Sequence, residues 1–224
     1  MLQIESRLRA MFAQQFVGII RASSTERALH AAHALARAGF HLIEVTMTIP
    51  GAFDAIKELA VEATASAAEA AAGVMIGAGT VTSVADARQC IENGAQFVVS
   101  PICETDIIRP CRDAGVVAIP AGLTPTEIVH AWRMGAHVVK VFPAGSVGGP
   151  AYIKALRGPL PDIPLWVSGM VTASQAQDYL QAGVQLVGLG AELLPAALVE
   201  AGDWDGVAAH ARQTLLKARG LREA

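Results

Sequence analysis

Short apolar runs rich in Val and Ile alternate along this chain with longer stretches whose apolar residues recur at helical spacing. The runs begin near Phe16, Leu42, Met75, Phe97, Val116, His137, Leu165 and Leu186, and a helical stretch follows each. Several helical stretches stop at a small residue and a glycine just before the next run: Ala38-Gly39, Asn93-Gly94, Ala114-Gly115, Met134-Gly135 and Ala182-Gly183. Glycine adopts the left-handed conformation that ends a helix at little steric cost. Eight strand-helix repeats predict an α/β fold with a parallel sheet. A closed (β/α)8 TIM barrel is the economical form, because an open sheet of eight strands leaves two edges to protect. No Pro/Gly/Ser-rich linker divides the repeats, so the pattern predicts one barrel domain over residues 1–224. The segment from Leu2 to Gln14 carries Glu5, Arg7 and Arg9 among its apolar residues, which predicts a short amphipathic N-terminal helix and not a signal peptide. The alanine-dense stretch from Ala60 to Gly73, with Glu62 and Glu69 one heptad apart, reads as the end of a helix.

Composition narrows the function classes. Of the 224 residues 53% are hydrophobic and 17% charged, which suits a folded protein with a large aliphatic core. A formal net charge of -3 gives no sign of a nucleic-acid or anionic-membrane partner, and no uncharged apolar run reaches membrane-spanning length. Cys90, Cys103 and Cys111 are odd in number and lack CxxC spacing, so neither a disulfide framework nor a zinc site is indicated, and a reduced cytoplasmic compartment is expected. His30, His33, His130 and His210 fall on helical stretches while His41 and His137 open strands, and no pair has metal-ligand spacing with a carboxylate. No metal and no cofactor are expected.

Two charges stand where a barrel wants aliphatics. The sixth run, from His137 to Pro143, places Lys140 in the middle of an apolar strand, while Lys57, Lys154 and Lys217 all sit at helical spacing. Burying an ammonium group is costly unless it is paired or neutral. Lys140 is therefore either a structural lysine paired with a carboxylate or an amine whose lowered pKa makes it a nucleophile toward a carbonyl. The second run, from Leu42 to Thr48, carries Glu44 with Thr46 and Thr48 on the same, inward face. Strands two and six are both even-numbered and feed the same interior layer, so Glu44 and Lys140 are predicted to face each other. That pairing suits proton transfer during imine chemistry, or a purely structural ion pair. Arg21 closes the first run at the catalytic rim, where it either holds a carboxylate or merely follows a strand. Gly77-Ala78-Gly79-Thr80 ends the third strand with small residues that would let a ligand approach the backbone, and Ser100-Pro101 and Pro143 end the fourth and sixth.

Taken in order, IEVTMTIP at 43–50, IGAGTV at 76–81, FVVSP at 97–101, TPTE at 124–127 and VKVFPA at 139–144 closely resemble the 2-keto-3-deoxy-6-phosphogluconate/4-hydroxy-2-oxoglutarate aldolase family. The likeness runs from about Val17 to Leu194. It implies a metal-independent class I aldolase, a homotrimer, acting on a small 2-oxo acid, with Lys140 as Schiff-base lysine and Glu44 as general acid/base. Arg21 and Thr80 then correspond to contacts for the pyruvate carboxylate, with Thr48, Pro101 and Phe142 nearby. Ser168, Gly169, Gly190 and Ala191 correspond to the far end of the substrate. Here the chain departs from the family, reading Ser168-Gly169-Met170 where a Gly-Gly pair is usual and Gly190-Ala191 where a Gly-Ser pair is usual. Pro120-Ala121 and Gly148-Gly149 depart as well. Loops after strands seven and eight commonly hold phosphate through backbone N–H groups, so these changes predict a weakened phosphate site.

Three functions are open to these residues: cleavage of a 2-keto-3-deoxy sugar acid or 4-hydroxy-2-oxoglutarate to pyruvate and an aldehyde, the same lysine chemistry as aldol cleavage or oxaloacetate decarboxylation on an unphosphorylated 2-oxo acid, or metabolite binding without turnover. Retention of Lys140, Glu44, Arg21 and Thr80 together speaks against the last, since a non-catalytic barrel would relieve its buried charges with aliphatic residues.

Overall fold

The computed structural model describes residues 2–66 and 73–221. Helix α1 (Leu2–Gln14) leads into β1 (Phe16–Ile20), and helices and strands then alternate: α2 (Thr25–Arg37), β2 (Leu42–Thr46), α3 (Ala52–Ser66), β3 (Met75–Gly79), α4 (Val84–Glu92), β4 (Phe97–Val99), α5 (Ile108–Asp113), β5 (Val117–Ile119), α6 (Pro125–Arg133), β6 (Val139–Val141), α7 (Gly149–Arg157), β7 (Leu165–Val167), α8 (Ala176–Gln181) and β8 (Leu186–Leu189). Two further helices, α9 (Ala196–Ala201) and α10 (Trp204–Ala218), follow. Short 3-10 turns at Ala144–Val147, Ala173–Gln175 and Ala191–Leu193 lie in the loops that follow β6, β7 and β8.

The strands pair in parallel in the order β5-β4-β3-β2-β1-β8-β7-β6. Backbone hydrogen bonds stitch the remaining seam between β5 and β6. The N–H of His137 donates to Ala118 O (3.1 Å), that of Lys140 to Pro120 O (2.9 Å), and that of Gly122 to Lys140 O (2.8 Å). The eight strands thus form the (β/α)8 barrel that the repeat pattern predicts, and Lys140 sits in its closing seam. Gly39, Gly94, Gly115, Gly135 and Gly183 all have positive φ, between 70° and 104°, as expected of residues that end helices.

Successive strand residues serve two cores. On β1, Val17 and Ile19 join the barrel interior, whereas Phe16 and Ile20 pack under the helices. Both faces are apolar because helices cover the outside of a parallel barrel and side chains fill the inside. Inside, the rings of Phe97 and Trp166 meet edge to face at 6.2 Å. Met11 of α1 is completely buried in this interior cluster, with Leu8 and Phe12 packed beside it, so α1 closes the barrel at the end where the strands begin. The guanidinium of Arg7 donates to Gly115 O and ties α1 to the turn before β5. At the other side of the ring α10 packs on α2, where Arg37 pairs with Asp205 at 3.0 Å and His30 stacks on Trp204.

Three boundaries differ from the sequence expectation. β2 ends at Thr46, so Thr48 lies in an exposed turn and not on the strand. β1 ends at Ile20, leaving Arg21 as the first residue beyond it, and β6 covers only Val139–Val141 of the expected run from His137 to Pro143. Helix α3 runs to Ser66; the part of the expected Ala60–Gly73 helix end that includes Glu69 falls at 67–72, outside the described residues. Among the described residues no helix is long and apolar enough to cross a membrane.

Candidate active site

Val139 and Val141 pack outward under the helices, which turns Lys140 between them into the barrel. Ile43 and Val45 do the same for Glu44 on β2. The two charges meet inside: Lys140 Nζ lies 4.0 Å from Glu44 Oε1, with side chains only 6% and 1% exposed. Lys57, Lys154 and Lys217 are all exposed, so the one lysine within the barrel is the one the strand pattern singled out. The amine also lies over the rings of Phe142 and Trp166, at 5.3 and 5.5 Å from their centres.

Burial dominates the electrostatics of this pair. It pushes the Glu44 carboxyl above the usual carboxylate range, against the opposing pull of Lys140 and Arg21. It holds the Lys140 amine below the usual lysine range; Glu44 acts in the opposite sense and Arg21 in the same one. Both directions favour a neutral amine, the form that can attack a carbonyl. Glu44 Oε2 makes no hydrogen bond to the described residues, and neither does the buried indole N–H of Trp166.

The glycines of β3 have a different role from the one expected. A Cβ on Gly79 would collide with the Glu44 carboxyl, and one on Gly77 would collide with the Phe97 ring. Their small size therefore accommodates two interior side chains and does not simply admit a ligand to the backbone. Gly188 on β8 likewise leaves room for the indole of Trp166. Thr46, fully buried, donates its hydroxyl to Ile20 O at 2.9 Å and bonds the Thr48 hydroxyl at 2.9 Å, so this pair stitches β2 to the end of β1.

A cavity of about 410 Å³ opens above the lysine at the C-terminal ends of the strands. Arg21, Lys140, Phe142, Ser168, Gly169, Gly190 and Ala191 line it, which brings together seven of the residues singled out in the sequence. Glu44 lies deeper, against the lysine. Thr48, Thr80 and Pro101 are not part of this lining; Thr80 sits just beyond β3 with φ of 59°, and Pro101 just beyond β4. The lining also includes Met170, which the departure from the family pattern singles out, and Ile19, Thr172, Gly188 and Glu192, which sequence reasoning did not assign to a site. The inward parity of β1 and β8 points to Ile19 and Gly188, whereas the loop residues Thr172 and Glu192 carry no such signal. A larger open cleft of about 1130 Å³ between α4 and α5 contains none of the strand-end residues and is remote from the buried pair. Among the described residues no group of three or more His, Cys, Asp or Glu side chains could hold a metal ion.

Comparison with known proteins places the chain in a family. The family model described as KDPG and KHG aldolase matches residues 4–210. A 2-dehydro-3-deoxy-phosphogluconate aldolase of Pseudomonas aeruginosa is 36% identical over 82% of this chain and 80% of its own length. A probable 2-dehydro-3-deoxy-6-phosphogalactonate aldolase of Rhizobium meliloti is 37% identical over 79% of this chain and 80% of its own. Among solved structures, KDPG aldolase from Legionella pneumophila, with pyruvate captured at low pH as a covalent carbinolamine intermediate, superposes with a TM-score of 0.81 at 25% identity, covering 92% of this chain and 97% of that one. The chain belongs to the KDPG and KHG aldolase family and is an aldolase, a carbon–carbon lyase, of that family.

Proposed function

We propose that this protein is a class I pyruvate-dependent aldolase that cleaves a 2-keto-3-deoxy sugar acid or 4-hydroxy-2-oxoglutarate through a Schiff base on Lys140. The observation that carries this reading is the buried Lys140–Glu44 pair, 4.0 Å apart beneath a cavity at the strands' C-terminal ends. The Legionella relative's pyruvate carbinolamine is the same chemistry in a chain of the same fold.

In this mechanism the neutral Lys140 amine adds to the C2 carbonyl, whose π electrons pass to oxygen, and the resulting carbinolamine loses water to give an iminium. Glu44, directly or through water, removes the proton of the C4 hydroxyl. The C3–C4 bond then breaks, its electron pair flows into the iminium to form an enamine, and the aldehyde leaves. Glu44 returns a proton to C3, and hydrolysis frees pyruvate and the amine. Arg21, at the cavity wall, holds the substrate carboxylate bidentately. Thr80 and Pro101, at neighbouring strand ends, and Thr48 complete the surroundings of the pyruvate unit, and Ser168, Gly169, Gly190 and Ala191 face the leaving aldehyde. The family resemblance adds a homotrimeric assembly to this reading.

Borohydride reduction in the presence of pyruvate tests it. One reduced pyruvate is expected on Lys140, located by peptide mass mapping. Labelling of Lys154 instead, or no labelling at neutral pH, overturns the assignment. Turnover is expected to survive chelation of divalent metals.

A second reading, in which the natural substrate is an unphosphorylated 2-oxo acid cleaved or decarboxylated on the same lysine, is favoured by one observation. Met170, where a backbone-only glycine is usual, lines the cavity at a φ of 55° and receives the Ser146 hydroxyl on its sulfur at 3.1 Å.

A further inference from the structure

The loops after the neighbouring strands β7 and β8 are joined by one side chain at the cavity wall. Glu192, on the 3-10 turn after β8, accepts the backbone N–H of Ala173, the first residue of the turn after β7, on Oε2 at 2.8 Å. Its own carbonyl is held by His210 Nε2 of α10 at 2.9 Å, which anchors the turn from the outer layer. Among the described residues no hydrogen bond reaches Oε1, and Glu192 lines the cavity. The charged side chains of that lining are Arg21, Lys140 and Glu192.

The substrate of the proposed reaction brings a carboxylate of its own, which Arg21 neutralises. A second anionic group at the far end of the same molecule would meet no further free cation, because Lys140 is engaged as the nucleophile. It would instead meet the Glu192 carboxylate, and would find the Ala173 N–H already occupied. A hydroxyl-bearing neutral end has the opposite experience, since it can donate O–H to Oε1. We propose that Glu192 determines specificity, selecting 2-oxo acids whose leaving aldehyde is neutral and hydroxylated and disfavouring those whose leaving aldehyde carries a phosphate. This inference rests on the Lys140 aldolase reading and deepens it by naming the substrate class.

The test compares kcat/KM for aldol addition of pyruvate to glyceraldehyde and to glyceraldehyde 3-phosphate, in the wild-type protein and in Glu192→Gln. The glutamine keeps an oxygen for Ala173 N–H and removes the charge. The ratio of phosphorylated to unphosphorylated kcat/KM is expected to lie below one in the wild type and to rise about tenfold or more in the variant, a change of ~1.4 kcal/mol. Added salt, which screens repulsion between charges, is expected to raise the ratio in the wild type and to leave it nearly flat in the variant. That comparison within the wild type needs no substitution. A wild-type ratio of ten or more, or a ratio that Glu192→Gln does not move, overturns the inference. Pyruvate adduct formation on Lys140, measured on the same preparations, separates the two failures. Adduct with an unmoved ratio removes only the role of Glu192, and no adduct removes the aldolase reading together with it.

Discussion

Glu44 occupies the space that a side chain at Gly79 would need. The register pairs Glu44 with Gly77 and Thr46 with Gly79, so the Glu44 side chain leans two residues along the strand, toward the C-terminal end of the barrel, to lie against Gly79. The absence of a side chain at position 79 lets the carboxyl reach the lysine.

Gly79→Ala is therefore expected to destabilise the fold by about 1–3 kcal/mol, the usual scale for overpacking a filled interior. It is also expected to displace Glu44 and lower turnover. Adding Glu44→Ala to the same chain removes the colliding group, so the double variant should recover stability relative to the sum of the two single changes. Chemical denaturation of the four proteins measures this coupling. Strictly additive losses would show that the two residues do not compete for space.

Glu44→Gln is expected to keep the fold and to form the pyruvate adduct slowly, while turnover falls on the order of a hundredfold or more, the scale for a positioned acid/base group. Circular dichroism, borohydride trapping and steady-state kinetics read the three properties separately. Unchanged turnover would transfer the proton work to water or another residue, and an unfolded variant would make the ion pair structural.

The lowered pKa of Lys140 carries a sign for the pH dependence. Its neutral amine is the reactive form, so pyruvate adduct formation should persist to lower pH than an ordinary lysine allows and decline as pH falls through the pKa of Lys140. Glu44 acts to raise that pKa, so in Glu44→Gln the acid limb should move to lower pH. Rates of borohydride-trappable adduct between acid and neutral pH check the direction. A limb displaced upward in the variant would contradict the electrostatic account.

His137 is expected to limit stability in acid. Burial, assisted by Arg112, depresses its pKa to about 4, and its Nδ1 accepts the Ala118 N–H at 2.9 Å. Below pH 6.5 the unfolded chain takes up a proton that the folded chain refuses until about pH 4. Stability therefore falls across that window, by on the order of 2–3 kcal/mol. His137→Asn keeps an acceptor for the N–H but does not titrate, so the slope of unfolding free energy against pH between 6.5 and 4 should flatten. An equal slope in both proteins would assign the acid sensitivity to other groups.

The sequence by itself determined the repeats, their number and the two anomalous charges. Each strand of a barrel must be apolar on both faces, each helix must stop before the next strand, and a charge within such a strand breaks the pattern visibly, as Lys140 and Glu44 do. Parity alone turned Glu44 and Lys140 inward, because side chains alternate along a strand whatever surrounds it.

Only the tertiary structure decided what those inward residues meet. Gly79 is small because of a side chain on the neighbouring strand, and Thr46 is spent on a carbonyl of β1, neither of which is a local property of the chain. The same holds for Glu192, whose carboxylate reaches a backbone N–H 19 residues earlier in the neighbouring loop. Strands announce themselves through periodicity because their burial repeats every two residues. Loops carry no period, so Glu192, the third charge of the cavity, becomes legible only when closure of the barrel sets the loops after β7 and β8 side by side.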